Sequence, residues 1–128
     1  MSKKRNTLQR KIIETCLETV DYPMLPKELH QQVQTTAPNL GIATVFRALK
    51  ALTEEGRVRV VNIPGDAPRY ESVSRGHHHH FKCEYCDFVY EVKGCPGNFE
   101  ALLPPGFQLS NHDITLFGKC SSCSSVDA

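Results

Sequence analysis

Ile42-Ala43-Thr44-Val45-Phe46-Arg47-Ala48-Leu49-Lys50-Ala51-Leu52, closing at Gly56, decides the fold of the first half of this chain. With it goes the stretch Val58-Arg59-Val60-Val61, Pro64-Gly65-Asp66 and Arg69-Tyr70-Glu71. Ile42, Val45, Phe46, Leu49 and Leu52 recur at the spacing of one helix face, and Gly56 suits the position just past a helix end. The two β-rich runs around the Pro-Gly-Asp turn read as a two-stranded hairpin. Upstream, Leu8, Ile12, Ile13, Cys16, Leu17 and Val20 define a first amphipathic helix, with Cys16 as a small buried hydrophobe. Pro26 suits the first turn of a second helix that turns Leu29 and Val33 inward and stops at Thr35-Thr36-Ala37-Pro38. Three short helices followed by a hairpin make a winged helix-turn-helix, whose third helix enters the major groove while the hairpin touches the backbone. The other face of that helix holds Ala43, Thr44, Arg47, Lys50 and Ala51. Its small residues permit close approach, Arg47 can fork onto a guanine edge or a phosphate, and Lys50 can add a phosphate contact. The competing reading is a plain three-helix domain with a small, basic exposed face.

Charge is distributed to match. Residues 1–70 carry 11 Lys/Arg against 7 Asp/Glu, whereas residues 71–128 carry 4 against 7, although the whole chain nets only +1. A basic half suits a nucleic-acid partner, because neutralised phosphates release counterions. With 40% hydrophobic and 23% charged residues the chain should fold. At 128 residues it is one ordinary domain or two small ones, and a half of this size is marginal without a metal or a partner subunit. Met1-Ser2-Lys3-Lys4-Arg5 leads into no apolar stretch, and no window reads as a membrane span, so a cytoplasmic location is expected. In that compartment clustered cysteines point to metal or catalysis rather than disulfides.

The seam falls at residues 73–76, separating a DNA-binding domain over 1–72 from a second domain over 77–128. All but one of the cysteines and all but one of the histidines lie beyond it. Cys83-x-x-Cys86 and Cys120-x-x-Cys123 form the strongest chemical signal. A two-residue spacer lets both sulfurs of a pair turn toward one ion, and two pairs complete a tetrahedral thiolate shell for structural zinc. The 33 residues between the pairs exceed the about 15–20 of a self-contained ribbon, so the metal would staple the ends of a small domain. A redox pair and an iron–sulfur cluster are the alternatives.

His77–His80 precede the first pair by two residues. A solvated polar strand end would explain a lone histidine; four in a row beside a CxxC point to metal. On a strand, His78 and His80 face one way and His77 and His79 the other, so each His-x-His pair could chelate its own ion. Neutral imidazoles suit zinc, iron, nickel or cobalt, and carboxylates such as Glu71, Glu91 and Glu100 complete shells for harder ions.

These residues resemble the ferric uptake regulator family of bacterial repressors, over nearly the whole chain from about Thr7 to Cys123. Thr7-Leu8-Gln9-Arg10 is similar to the start of the family's first conserved helix. Ile42–Leu49 is similar to its recognition helix, with Phe46 where tyrosine is usual. Arg69-Tyr70-Glu71 is similar to the step ending the wing, and His77–His80, the two cysteine pairs and Asn111-His112 complete the pattern. The resemblance implies an α+β architecture: an N-terminal winged helix and a small C-terminal α/β dimerisation domain with structural zinc. It implies a homodimer that binds a palindromic double-stranded operator and represses when loaded with Fe2+, Zn2+ or Mn2+, with neither a membrane nor a small-molecule substrate as partner. By motif position Glu71, His78, His80 and Glu91 form the regulatory metal site. His77, His79 and His112 form a second, in which Glu100 takes part, and Cys83, Cys86, Cys120 and Cys123 hold the structural zinc. Thr44, Phe46, Arg47, Lys50, Gln9 and Arg10 are the expected DNA contacts.

Three departures stand out. Tyr22-Pro23-Met24 lacks the histidine that family members often carry there, so the regulatory ion has four protein ligands here or finds another. The segment before Thr7 is short, which leaves Lys3, Lys4 or Arg5 to reach the minor groove. Cys95, in Gly94-Cys95-Pro96-Gly97, falls outside the general pattern and reads first as a turn cysteine; a thiolate ligand or a redox-sensitive thiol is the other reading. A peroxide sensor, in which histidine-bound ferrous iron oxidises its own ligands, would use the same scaffold. A metalloenzyme is not expected, since no nucleophile with an oriented partner is visible. It would also leave the wing and the recognition helix unexplained; a metal-storage protein is a further reading, since His-rich runs bind metal unselectively, and absence of sequence-specific DNA binding would favour it.

Overall fold

Helix α1 (Ser2–Thr19) buries Ile13 and Leu17 and leaves Leu8 62% exposed, so the apolar stripe starts at Ile12 rather than at Leu8. In the computed structural model, residues 2–126 are described, with side chains over 7–124. The side chains of Lys3, Lys4 and Arg5, expected at the minor groove, lie outside the described residues. Helix α2 (Pro26–Val33) begins on the proline that pre-sets its first turn, and Glu28 reaches back to accept the Leu25 N–H at 2.8 Å. Helix α3 (Ile42–Glu54) turns Val45, Ala48, Leu49 and Leu52 into the core and ends before Gly56, whose φ of 75° no other residue type adopts freely. Ile42 and Phe46, expected on that inward face, are 41% and 54% exposed. The buried set 45, 48, 49, 52 already fills the stripe that a helix can present to one neighbour. Phe46, one residue on from Val45, is rotated by about 100° away from it.

Strands β1 (Val58–Val61) and β2 (Arg69–Ser72) pair antiparallel, Val58 opposite Ser72 and Val61 opposite Arg69, and form the expected hairpin. Met24 exchanges both backbone hydrogen bonds with Tyr70, at 2.8 and 2.9 Å, and so ties the wing to the start of α2. Buried Arg69 reinforces that tie through Asp66 at 2.9 Å and Glu28 at 3.4 Å. Residues 73–76, expected as a hinge, form a 3-10 turn over Val73–Arg75 in which Ser72 Oγ accepts the Ser74 N–H. The helices and hairpin make one compact unit, Met1–Gly76.

The other unit, His77–Ala128, is built on a three-stranded sheet of order β4-β3-β5. Strand β3 (His79–Cys83) runs antiparallel to β4 (Val89–Val92) and parallel to β5 (Thr115–Gly118), with His80 opposite both Glu91 and Thr115. A 3-10 turn (Phe99–Leu102) interrupts the long β4–β5 connection, and a short helix α4 (Ser121–Val126) follows β5. Gly118 faces the Phe81 ring so closely that a Cβ there would stand 3.2 Å from it.

Candidate metal centres and DNA-facing helix

Because α3 spends its apolar stripe on the core, its outer face is left with Ala43, Phe46, Arg47 and Lys50, all exposed. Arg47 Nη2 donates to Thr44 Oγ1 at 3.1 Å, which holds the guanidinium along the helix surface. Gln9 is half-buried on α1, and Arg10 forms an ion pair with Glu55 at the end of α3. Phe46 presents an aromatic ring with no polar atom, so only apolar contacts such as a thymine methyl are open to it.

The paired cysteines converge. One sulfur from each of Cys83, Cys86, Cys120 and Cys123 lies within 4.8 Å of the others, and all are free thiols. Cys83 Sγ stands 3.7 Å from Cys123 Sγ, and Cys86 Sγ 3.9 Å from Cys120 Sγ. A tetrahedron with metal–sulfur bonds of about 2.3 Å has edges of about 3.8 Å, so four soft donors at these separations fit zinc. Local folding explains the placement. Cys83 ends β3, and the chain reverses through Asp87, at φ 64°, as the Asp87 N–H reaches the Cys83 carbonyl at 3.0 Å. Cys120 and Cys123 sit one turn apart, where the Ser124 N–H bonds the Cys120 carbonyl at 2.9 Å.

Electrostatics divide the four sulfurs. Burial pushes the Cys83 thiol up, but the N–H groups of Cys86, Cys120 and Tyr85 all aim at its sulfur and bring it down to about 6. Cys120 is also lowered, first by the Tyr90 hydroxyl and then by the Cys123 N–H. Tyr90 is raised to about 12, chiefly by that bond to Cys120, and Cys123 to about 12, chiefly by its contact with Cys120. The N–H groups around Cys83 and the Tyr90 hydroxyl at Cys120 thus favour the charged form of those two sulfurs, and a divalent cation would displace the protons carried by any of the four. Tyr90 went unnoticed in the sequence. Strand alternation could have found it, since it pairs opposite Phe81 and so shares the face that carries Cys83.

The histidine run separates as alternation requires. The His78 and His80 rings meet at 4.9 Å between centroids, and those of His77 and His79 at 4.7 Å. Glu91 belongs with the former pair: its Oε2 is 3.7 Å from His78 Nε2, and it stands opposite His80 in the sheet. Glu71, in the other unit, is a buried carboxylate on β2 that accepts Arg59 Nε at 2.6 Å. On the second face His112 joins His77 and His79, its ring centroid 5.0 and 5.1 Å from theirs. Ligand atoms of His77, His79, His112 and Cys95 all lie within 4.8 Å of one another. Cys95, read first as a turn cysteine, sets its sulfur 3.2 Å from His112 Nε2. Burial, followed by the neighbouring His77 and His112, lowers the proton affinity of His79 and keeps that ring a neutral donor. Glu100 sits exposed on the 3-10 turn and lines a cleft with His77 and His112, outside the four-residue cluster.

Among the described residues no helix is long and apolar enough to cross a membrane. The model of the ferric uptake regulator family matches residues 2–117. The zinc uptake regulation protein of Mycobacterium tuberculosis is 34% identical over 124 residues, covering 94% of this chain and 95% of that protein. The ferric uptake regulation protein of Campylobacter jejuni is 30% identical over 127 residues, covering 95% of this chain and 81% of that protein. The solved structure of the Helicobacter pylori ferric uptake regulator, described as having three functional metal-binding sites, superposes with a TM-score of 0.79 at 26% identity. That match covers 97% of this chain and 87% of the other.

Proposed function

Because this chain belongs to the ferric uptake regulator family, whose members are metal-responsive transcription regulators and not enzymes, we propose that it is a cytoplasmic, homodimeric repressor that grips a palindromic operator when loaded with a divalent metal. The observation that carries the reading is the sorting of the histidine run, His78 and His80 with Glu91 on one face of β3 and His77 with His79 on the other. Such sorting provides separate donor sets, and a regulator needs a signal-binding set apart from its structural one.

In this reading Cys83, Cys86, Cys120 and Cys123 hold a structural zinc, and Glu71, His78, His80 and Glu91 form the regulatory site, by motif position and donor type. His77, His79 and His112 belong to a second site. When bound, a divalent cation supplies positive charge that neutral imidazoles and carboxylates can ligate together. Residues 71 and 78 are close in sequence, so shared ligation closes a short loop and restricts the intervening backbone. Arg59 Nε holds Glu71 Oε2 at 2.6 Å, and a carboxylate with two oxygens can keep that bond while it ligates an ion. Arg47 and Phe46 read the major groove, with Thr44 beside Arg47, while Lys50 contacts a phosphate and Gln9 and Arg10 add further DNA contacts. Two copies would present their α3 helices to half-sites about 34 Å apart. Exposed Leu102, Phe107, Leu116 and Phe117 in the His77–Ala128 unit support a second copy as partner.

His80→Ala tests the regulatory set. Operator affinity should fall at least tenfold in saturating metal while zinc bound by the cysteines stays at one equivalent per chain. Unchanged affinity would remove these residues from the sensing role.

A further inference from the structure

The segment Gly94-Cys95-Pro96-Gly97-Asn98 belongs to neither cysteine pair, yet it sets a thiol among three imidazoles. Gly94 at φ 90°, Gly97 at φ 70° and Asn98 at φ 59° curl the backbone through left-handed conformations that only such residues adopt at low cost. Cys95 Sγ arrives 3.2 Å from His112 Nε2, and one donor atom from each of His77, His79, Cys95 and His112 falls within 4.8 Å of the rest. His79 is only 3% exposed, and the Ile114 N–H reaches its Nδ1 at 3.2 Å. Its Nε2 is buried with no hydrogen-bond partner among the described residues. An unsatisfied buried nitrogen costs about 1–3 kcal/mol; with Nδ1 accepting from Ile114 the ring proton sits on Nε2, and a cation ligated there displaces that proton, which Nδ1 takes up as the Ile114 contact opens.

We propose that Cys95 supplies a thiolate as fourth ligand to the site of His77, His79 and His112, and that this three-nitrogen, one-sulfur shell makes the site selective for zinc over manganese. The proposal deepens the second-site reading above and rests on those histidines binding metal; it replaces Glu100 as their partner. A single thiolate among imidazoles suits a borderline-soft, tetrahedral ion. Manganese favours oxygen donors and gains little from sulfur. Glu100, exposed on its 3-10 turn, stays free to face solvent across the neighbouring cleft.

Cobalt(II) titration of the full chain, its four paired cysteines first loaded with zinc, tests this directly. The set His78, His80 and Glu91 has no sulfur, so a thiolate-to-cobalt charge-transfer band from added cobalt reports Cys95 alone. The band should appear in the wild type and in Glu100→Ala, and vanish in Cys95→Ser with the protein still folded by circular dichroism. Zinc competition should show the Cys95→Ser site weakened at least tenfold, with manganese affinity moved by less than twofold. Cobalt bound with tetrahedral ligand-field absorption but no charge-transfer band would overturn the thiolate while leaving the histidine site standing. No cobalt bound by His77, His79 and His112 would overturn both. A band that persists in Cys95→Ser would also overturn the proposal, since the sulfur would then come from the paired cysteines.

Discussion

Eleven buried apolar side chains, from Ile13 to Val58, form one cluster in the Met1–Gly76 unit. In the His77–Ala128 unit Val89 is the one buried aliphatic residue among those described; the other buried side chains are Cys83, Cys120, His78, His79 and His80. The first unit is thus held by burial of hydrocarbon, at about 25 cal/mol per Å2. The second has donor atoms where a core would be. A domain of about 50 residues with so little apolar burial falls below what packing alone sustains, and metals are the usual remedy. The difference is one of material: α3 is held by apolar packing, whereas the other unit places metal-ligating side chains where the first has a core.

The sharpest way to break this contrast is to remove the structural metal. Cys83→Ser, or a strong chelator, should unfold His77–Ala128 while α1–α3 keep their amide protection, as read by hydrogen exchange. Zinc in such shells contributes about 10–16 kcal/mol, so partial loss is not expected. Uniform loss of protection in both units would erase the distinction. In the opposite direction, Leu49→Ala should cost the helical unit about 2–5 kcal/mol in denaturant titration and leave zinc content unchanged. A simultaneous loss of zinc would tie the units together energetically.

Two further substitutions should have smaller effects, each confined to one unit. Arg47→Ala should weaken operator binding by about 1–3 kcal/mol with no effect on metal stoichiometry or melting, because its guanidinium lies on the outer face of α3. Affinity unchanged in gel shifts would leave Arg47 out of the interface. Tyr90→Phe removes the hydroxyl that bonds Cys120, and should lower zinc retention by about tenfold in a competition assay without unfolding the sheet. No change there would make the bond incidental.

Much of this was legible in the sequence because periodicity and spacing are local. Helix stripes, the hairpin turn, the two CxxC pairs and the alternation of His77–His80 each need only neighbours along the chain. Phe46 and Ile42 were misplaced because five apolar residues in α3 cover more of the helix than its neighbours can bury, and only packing decides which are left out. Between a turn cysteine and a thiolate ligand the sequence could not decide for Cys95, because its place depends on three left-handed residues and a long connection between β4 and β5. Glu100 fails to join the cluster for the same reason, since the turn that carries it points it to solvent. Tyr90 was available from strand parity, once β4 had been paired with β3.

Control of DNA binding by metal is decided by operator binding of the purified protein across buffered free zinc, ferrous iron and manganese, with the cysteine site kept loaded. One of these metals, within a narrow range of free concentration, should raise operator affinity at least tenfold. Affinity indifferent to all of them would leave a DNA-binding protein whose histidines take no part in control.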